Sequence, residues 1–477
     1  MSRPLSTARG GDANPLPALA GIAPRAWLVG GALRDRLLGR GTIDYDVALG
    51  GDARVEHVAR ALARDAGGYP FRLSDEFGAW RVVSHQRGWQ VDLLALGAET
   101  IKADLALRDL TVNAIAEPLA GGELIDPFGG LRDLAARRLR AVSPTAFARD
   151  PLRTIRLARL ACELGFAVEP DTAALATSSA PELASVAPER IFAELGRIVS
   201  AEGALGGLAV MDALEVTDAV LPELARLRGV RLGDGDLDLY EHARAVLAQT
   251  IELERDPEPA LGSGAPAVVA LLARPLAGKL TRGQALRFGA LLGEVGRPQT
   301  RRMSPEGKVT SAGHDEAGAA VVRTVLRRLR AGQRLGEHVA ALSAHHRRLG
   351  LLVDEMPVDR RAIYGYLRAC SPVQVDVTLL SVADRLARRG SHSDSDAQAV
   401  ARHLELARRL LGEALAWLSD PPRPPVRGDE LARALGIAPG PALGRLLAEL
   451  EQAKFAGEVA TREQVLQRAR ELLAEAL

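Results

Sequence analysis

Residues 27–46 read WLVGGALRDRLLGRGTIDYD. Trp27, Leu28 and Val29 form an apolar run suited to a short strand, Gly30 and Gly31 a turn, and residues 32–38 an amphipathic helix. After a break at residues 39–41, a second strand carries Asp44 and Asp46. Strand side chains alternate between faces, so two aspartates two positions apart point the same way and concentrate a negative charge that a divalent cation relieves. Upstream, Gly30 and Gly31 let backbone N–H groups approach an anion at the helix start, and Arg34 in the first turn adds a charge-assisted donor. One end of the stretch suits phosphates and the other suits the ions that bridge them. A bare D-x-D is usually a surface turn with two solvated aspartates; the glycine pair and the Arg-Asp helix start reverse that reading here.

Composition sets the frame. The chain of 477 residues is 47% hydrophobic, enough to bury large cores in about three or four domains. Only 4% is aromatic while Ala, Leu and Arg abound, which points to a mostly helical protein. A net charge of +1 carries no whole-chain signal for nucleic acid, because acidic residues elsewhere can mask a local basic surface. Two separated cysteines, Cys162 and Cys370, exclude a disulfide framework and a cysteine-based zinc site and fit a reducing cytoplasm. The N-terminus lacks an apolar signal core and no run approaches the roughly 20 residues of a membrane span, so a soluble cytoplasmic protein is expected.

Beyond the aspartates, helical periodicity covers Val55–Ala66, and strands are expected near residues 80–84 and 89–96. Asp92 stands in the otherwise apolar WQVDLLAL, where a strand beside Asp44 and Asp46 makes it a candidate third ligand. In LRDLTVNA (residues 107–114), Arg108 can contact a triphosphate, while Asp109 and Asn113, four apart on one helical face, can hold each other or a ribose. The Pro- and Gly-rich residues 126–134, DPFGGLRDL, read as a turn leading into a helix and as scaffold. Together these segments resemble the nucleotidyltransferase head of the bacterial CCA-adding enzyme and poly(A) polymerase family, class II CCA-adding tRNA nucleotidyltransferases among them. The family pattern is L-V-G-G-x-V-R-D, a short helix and D-x-D, followed by R-R-D-F-T-I-N-A and D-P-x-G-G-x-x-D-L; Leu107 replaces the first arginine of the second motif.

Residues 148–159, ARDPLRTIRLAR, open a long helix, with Asp150 expected as N-cap and Pro151 at its first position. Asp150 and Arg153 lie close across that first turn. A carboxylate accepts from cytosine N4 or adenine N6 and a guanidinium donates to cytosine N3 and O2 or adenine N1, whereas uracil and guanine present an oxygen to the carboxylate. One Asp-Arg pair can thus accept C and A and refuse U and G. The segment resembles the family's E-D-x-x-R motif, which implies that role for Asp150 and Arg153; Arg149 stands in place of the leading Glu. Arg156 and Arg159 are candidates to line the nucleotide or RNA path.

From Tyr240 onward the chain resembles an HD-type phosphohydrolase module, with His242, His314, His345 and Asp384 as remnants of its site. Where that module needs adjacent His and Asp as metal ligands, this chain has Gly293 and Glu294. One ligand is missing, so the site is degenerate and the module is expected to serve as structure. Residues 255–266 look like a Gly/Pro-rich insertion, and Pro421, Pro422, Arg423, Pro424 and Pro425 form a stiff linker to a tail resembling that of CCA-adding enzymes.

The resemblance implies an α+β protein: a flexible N-terminus (1–24), a polymerase-beta-like nucleotidyltransferase head (25–142), a helical neck (143–228), a degenerate HD-like helical domain (229–420) and a helical, RNA-contacting tail (421–477). Two Mg2+ ions held by Asp44, Asp46 and Asp92 would serve transfer from CTP and ATP to the 3′ end of tRNA. Gly30, Gly31, Arg34, Arg108, Asp109, Asn113, Asp150, Arg153, Arg156 and Arg159 would bind the nucleotide. The interval between Asp92 and Arg108 is shorter than in the CCA-adding pattern, where it is tied to switching from C to A; this leaves CC addition alone as an alternative. Poly(A) polymerase and a catalytically silent RNA-binding protein are the others.

Overall fold

In the computed structural model, which describes residues 14–51, 54–74, 78–231, 238–303, 309–388 and 394–475, the first element is a helix within the expected flexible N-terminus. α1 (Leu16–Ile22) buries Leu16 and Leu19; residues 1–13 lie outside the described residues. β1 (Ala26–Val29) runs directly into α2 (Gly30–Leu37), so the glycine pair forms the first residues of the helix rather than a turn before it. β2 (Asp44–Leu49), α3 (Val55–Ala66), β3 (Tyr69–Ser74), β4 (Ala79–Ser84), β5 (Trp89–Ala95), α4 (Ile101–Leu105) and β6 (Ala116–Pro118) complete the head. α3 forms over the residues its periodicity predicts, and left-handed Gly67 ends it.

The six strands make one mixed sheet in the order β3-β4-β5-β2-β1-β6. β2 pairs parallel with β5 and antiparallel with β1; the other pairs are antiparallel. One register row crosses five strands, from Phe71 through Arg81, Asp92 and Asp46 to Val29. Paired residues share a face, so the sheet has two distinct sides. On one side Val82, Val91, Leu93, Val47 and Leu49 are buried, and α3 packs there against β3, β4 and β5. On the other, the β1 and β6 half is covered by a core of Val29, Ala48, Ile101, Leu105, Ala114 and Ala116. The carboxylates lie where that cover stops.

Residues 106–114 depart from the expected helix: α4 ends at Leu105 and only Thr111–Asn113 form a 3-10 turn. The DPFGG segment fixes this loop. Asp126 accepts from the N–H groups of Gly130 and Leu131 at the start of α5 (Gly130–Ala135), and a Cβ at Gly130 would stand 2.2 Å from the Thr111 carbonyl oxygen. Only glycine permits that approach. Asp133, fully buried, accepts from Thr111 Oγ1 (2.7 Å), Arg138 Nη2 (2.7 Å) and Arg140 Nε (2.9 Å). α6 (Ala146–Arg149) and α7 (Leu152–Leu164) follow, with Pro151 at the N-cap and no side-chain cap, so Asp150 sits in the extended link between helices rather than capping one.

Contacts divide the chain into two compact units: residues up to 186 with 206–219, and residues 187–205 with 220 onward. The division cuts through the expected neck and keeps the tail with the helices before it. In the second unit, the helices Leu239–Arg255, Arg282–Leu292, His314–Arg328, Gln333–His345 and Gln374–Ala387 build the body. Residues 255–266 are not a loop: Glu258–Leu261 and Ala265–Leu272 are helices that bury Ala260, Leu261 and Ala265. The tail helices close on Leu431, Leu446 and Leu450, and Arg361 and Tyr364 reach Glu458 and Glu451 across to them. Among the described residues no helix is long and apolar enough to cross a membrane.

Candidate active site

Asp46 is the centre of the site. It leaves β2 beside the start of α2, and a Cβ at Gly30 would stand 3.1 Å from Asp46 Oδ2 and 3.2 Å from Arg108 Nη1. Gly30 also adopts φ +69, a conformation that favours glycine, and a Cβ there would crowd both side chains. Burial pushes the Asp46 carboxyl above its usual range, Asp92 and Asp44 push the same way, and Arg108 only partly opposes them. A carboxylate crowded by two others is under-compensated, and a divalent cation supplies what it lacks. Asp44, two positions along the strand and on the same face, is exposed.

Asp92 departs from its expected role. Both its oxygens accept from Arg81, at 2.6 Å to Nε and 2.6 Å to Nη2, in a bidentate pair across β4 and β5. In the protein without metal it acts on Asp46 as a neighbouring charge, held in place by Arg81. Sequence reading missed Arg81; the available signal was one arginine and one aspartate, each alone in an apolar strand.

Arg34 is corrected more sharply. It is buried and donates to Asn113 Oδ1 (2.7 Å) and Asp35 Oδ1 (2.9 Å), so it ties α2 to the 3-10 turn instead of awaiting phosphate. A Cβ added at Gly31 would meet Arg34 Nη2 at 3.5 Å, an ordinary contact. Replacing Arg34 with alanine would leave the buried Asn113 acceptor unpaired. We expect it to lower unfolding stability by about 1–3 kcal/mol, readable by denaturant titration. Asn113 in turn donates to Asp109 Oδ1 (3.0 Å), as expected of the pair, although the turn and not a helix face brings them together. Burial raises the Asp109 carboxyl, but Arg156 at 3.6 Å, Asn113 and the Leu110 N–H outweigh it and hold the group below its usual range.

Arg108 is only partly paired. Its Nη2 reaches Asp104 at 3.4 Å, while Nε is buried with no hydrogen-bond partner. Beside it, Arg153 is clamped by two carbonyls, Nη1 on Ala146 (3.0 Å) and Nη2 on Leu107 (2.7 Å), with its buried Nε also unpartnered and 4.0 Å from Asp150. The Leu107 carbonyl thus joins the α7 pair to the residue before Arg108, whose guanidinium lies beside Gly30 as Asp46 does. Arg159 is buried against Glu163 (2.6 Å), a helix-internal pair that removes it from any RNA path.

A second cluster lies in the second unit. Ligand atoms of Glu294, His314 and His346 lie within 4.8 Å of one another, as do those of His242, Glu294 and Asp384. The histidine that joins is His346; His345 instead accepts from Arg348 (3.0 Å) outside the cluster. His242 Nε2 is 2.8 Å from Asp384, and Arg297 sits on Glu294. Burial raises the Glu294 carboxyl, but His346 and Arg297 outweigh it and hold it well below its usual range.

Comparison with known proteins converges on the head. Residues 26–93 and 81–140 match a family described as the poly A polymerase head domain, and residues 165–227 one described as a probable RNA and SrmB-binding site of polymerase A. The A-adding tRNA nucleotidyltransferase of Deinococcus radiodurans is 34% identical over 93% of this chain and 95% of its own. The CC-adding tRNA nucleotidyltransferase of Geobacter sulfurreducens is 32% identical over 94% of this chain and 93% of its own. The fold is that of a CCA-adding enzyme solved with CTP, at a TM-score of 0.64 and 20% identity over 96% of this chain and 94% of that one.

Proposed function

The chain belongs to the bacterial CCA-adding tRNA nucleotidyltransferase and poly(A) polymerase family, and on that premise we propose that it adds C, C and A to the 3′ end of tRNA from CTP and ATP. The observation that supports this most is the junction of Asp46, Gly30 and Arg108, with Arg153 tied to the residue before Arg108. Asp44 and Asp46 would hold the divalent ions. Bound there, magnesium lowers the pKa of the RNA 3′ hydroxyl and neutralises charge on the triphosphate and departing pyrophosphate. The chain's own part is to place the reactants. Gly30 leaves room for a phosphate against the α2 start, and Arg108, whose Nη1 lies beside Gly30, would add a cation there for the triphosphate. Arg153, held by two carbonyls, is fixed beside Asp150, whose carboxylate would read the base edge. A uracil or guanine there would leave the Asp150 carboxylate facing an oxygen, at a cost of about 1–3 kcal/mol and hence roughly tenfold to a hundredfold in selection.

A narrower reading, partial addition of CC or of A alone, is favoured by one feature: the interval between Asp92 and Arg108 is taken up by α4, whose Ile101 and Leu105 are buried. The names of the two relatives point the same way. The deciding experiment incubates the enzyme with magnesium, CTP, ATP and tRNA lacking its 3′ end, or ending in CC, and sizes products at nucleotide resolution. Three added residues support CCA addition. Two from CTP, or one from ATP only on the CC-ended tRNA, establish partial addition; a long ladder with ATP alone establishes poly(A) synthesis, and no incorporation sinks the proposal. Asp150→Ala should raise UTP and GTP incorporation relative to CTP roughly tenfold or more; unchanged selectivity would remove Asp150 from base reading.

A further inference from the structure

The open side of the head sheet carries more than the carboxylates. The register row from Asp46 through Asp92 and Arg81 ends at Phe71 on β3, the edge strand, and the neighbouring row from Asp44 through Gln90 and Val83 ends at Tyr69. Both aromatic residues therefore share a face with the two aspartates. Three strand spacings of about 4.8 Å put them about 14 Å away. Tyr69 is 71% exposed and Phe71 38%, with ring centroids 6.4 Å apart in a stacked arrangement. In a chain with only 4% aromatic residues, these are the only exposed large aromatic side chains among the described residues.

We propose that Tyr69 and Phe71 form a stacking platform for unpaired bases of the RNA acceptor upstream of its 3′ terminus, on the same sheet face as Asp44 and Asp46. The inference rests on the RNA-extending reading above. Aromatic faces take any base, because every base offers a π-face, and they add binding without demanding sequence. That suits an enzyme whose acceptor changes at each added nucleotide. The alternative use of an exposed edge strand is pairing with another chain, and β3 is built against it: Pro70 lies between the two aromatics and cannot donate to an added strand.

The test uses the full-length enzyme and an acceptor-stem minihelix carrying 2-aminopurine in its unpaired 3′ strand. Binding should quench the fluorescence with wild type, and equally with Asp46→Ala, which separates this readout from catalysis. The Tyr69→Ala/Phe71→Ala double variant should abolish the quench and raise KM for RNA about tenfold to a hundredfold, with KM for CTP unchanged. Tyr69→Phe/Phe71→Tyr should restore both. Retained quench and KM in a folded double variant would overturn the platform while leaving the extension activity intact. So would loss of a dimer in sedimentation with RNA binding unchanged. Failure of the wild-type enzyme to bind the minihelix would overturn the platform and the RNA-extending reading together.

Discussion

Replacing Asp46 with alanine is expected to abolish nucleotide incorporation, by about a thousandfold or more in kcat/KM, while leaving the melting temperature unchanged or higher. The first half follows from position. Asp46 is the carboxylate beside the glycine start of α2, where Arg108 also lies, and losing a metal ligand there would forfeit several kcal/mol of charge stabilisation at about 1.4 kcal/mol per tenfold. The second half follows from electrostatics. Burial and the neighbouring Asp92 and Asp44 already disfavour its charge, so the free protein gains by losing it. Single-turnover incorporation with saturating CTP, beside a thermal melt of the same preparation, reads both. A variant that loses activity only in proportion to lost folding would show that Asp46 is a structural residue. Substantial activity in a folded variant would remove the metal clamp from the mechanism.

The second large effect is on folding. Asp133→Asn is expected to cost about 1–3 kcal/mol of unfolding free energy near neutral pH, because it removes the buried anion shared by the partly exposed Arg138 and Arg140. The pH dependence carries the diagnosis. Burial raises the Asp133 carboxyl, but the hydrogen bonds from Arg138, Thr111 and Arg140 outweigh it, and the folded pKa lies below the unfolded one. Such a group contributes stability that is present above its unfolded pKa and is lost as pH falls through the folded value. The stability gap between wild type and Asp133→Asn should therefore hold from pH 7 to about pH 5 and shrink below about pH 4, measured by urea unfolding at each pH. A gap that persists undiminished to pH 3 would mean that the loss is steric rather than ionic. Because Asp133 accepts from Thr111, the variant should also loosen the turn that carries Asn113 and follows Arg108.

Legibility varied with the range of the interaction that fixed each residue. The strand-helix-strand start of the head, α3 and the two following strands were readable because hydrophobic period and glycine punctuation are local signals. The same local rules misplaced others. LRDLTVNA has a helix-compatible spacing, yet the Asp126 and Asp133 scaffold, contributed from beyond it in sequence, holds it as a loop with one 3-10 turn. Arg34 matched a phosphate-binding pattern, but Asn113, distant in sequence, takes its guanidinium. Arg159 repeated the helical spacing of Arg156, yet Glu163 one turn on claims it. His345 and His346 were indistinguishable by composition; the end of their helix decides which ring joins Glu294.

By itself the sequence determined that two aspartates share a strand face, that glycines precede a short helix, and that an Asp-Arg pair opens a later one. Each is set by backbone periodicity within a few residues. Tertiary structure alone decided which acceptor claims each cation. Arg81 closes on Asp92 and Arg34 on Asn113, whereas the Nε atoms of Arg108 and Arg153 stay buried without a partner. The reason is that a guanidinium is neutralised by whichever acceptor the fold brings within about 3 Å, and that acceptor sits on another element as often as on its own.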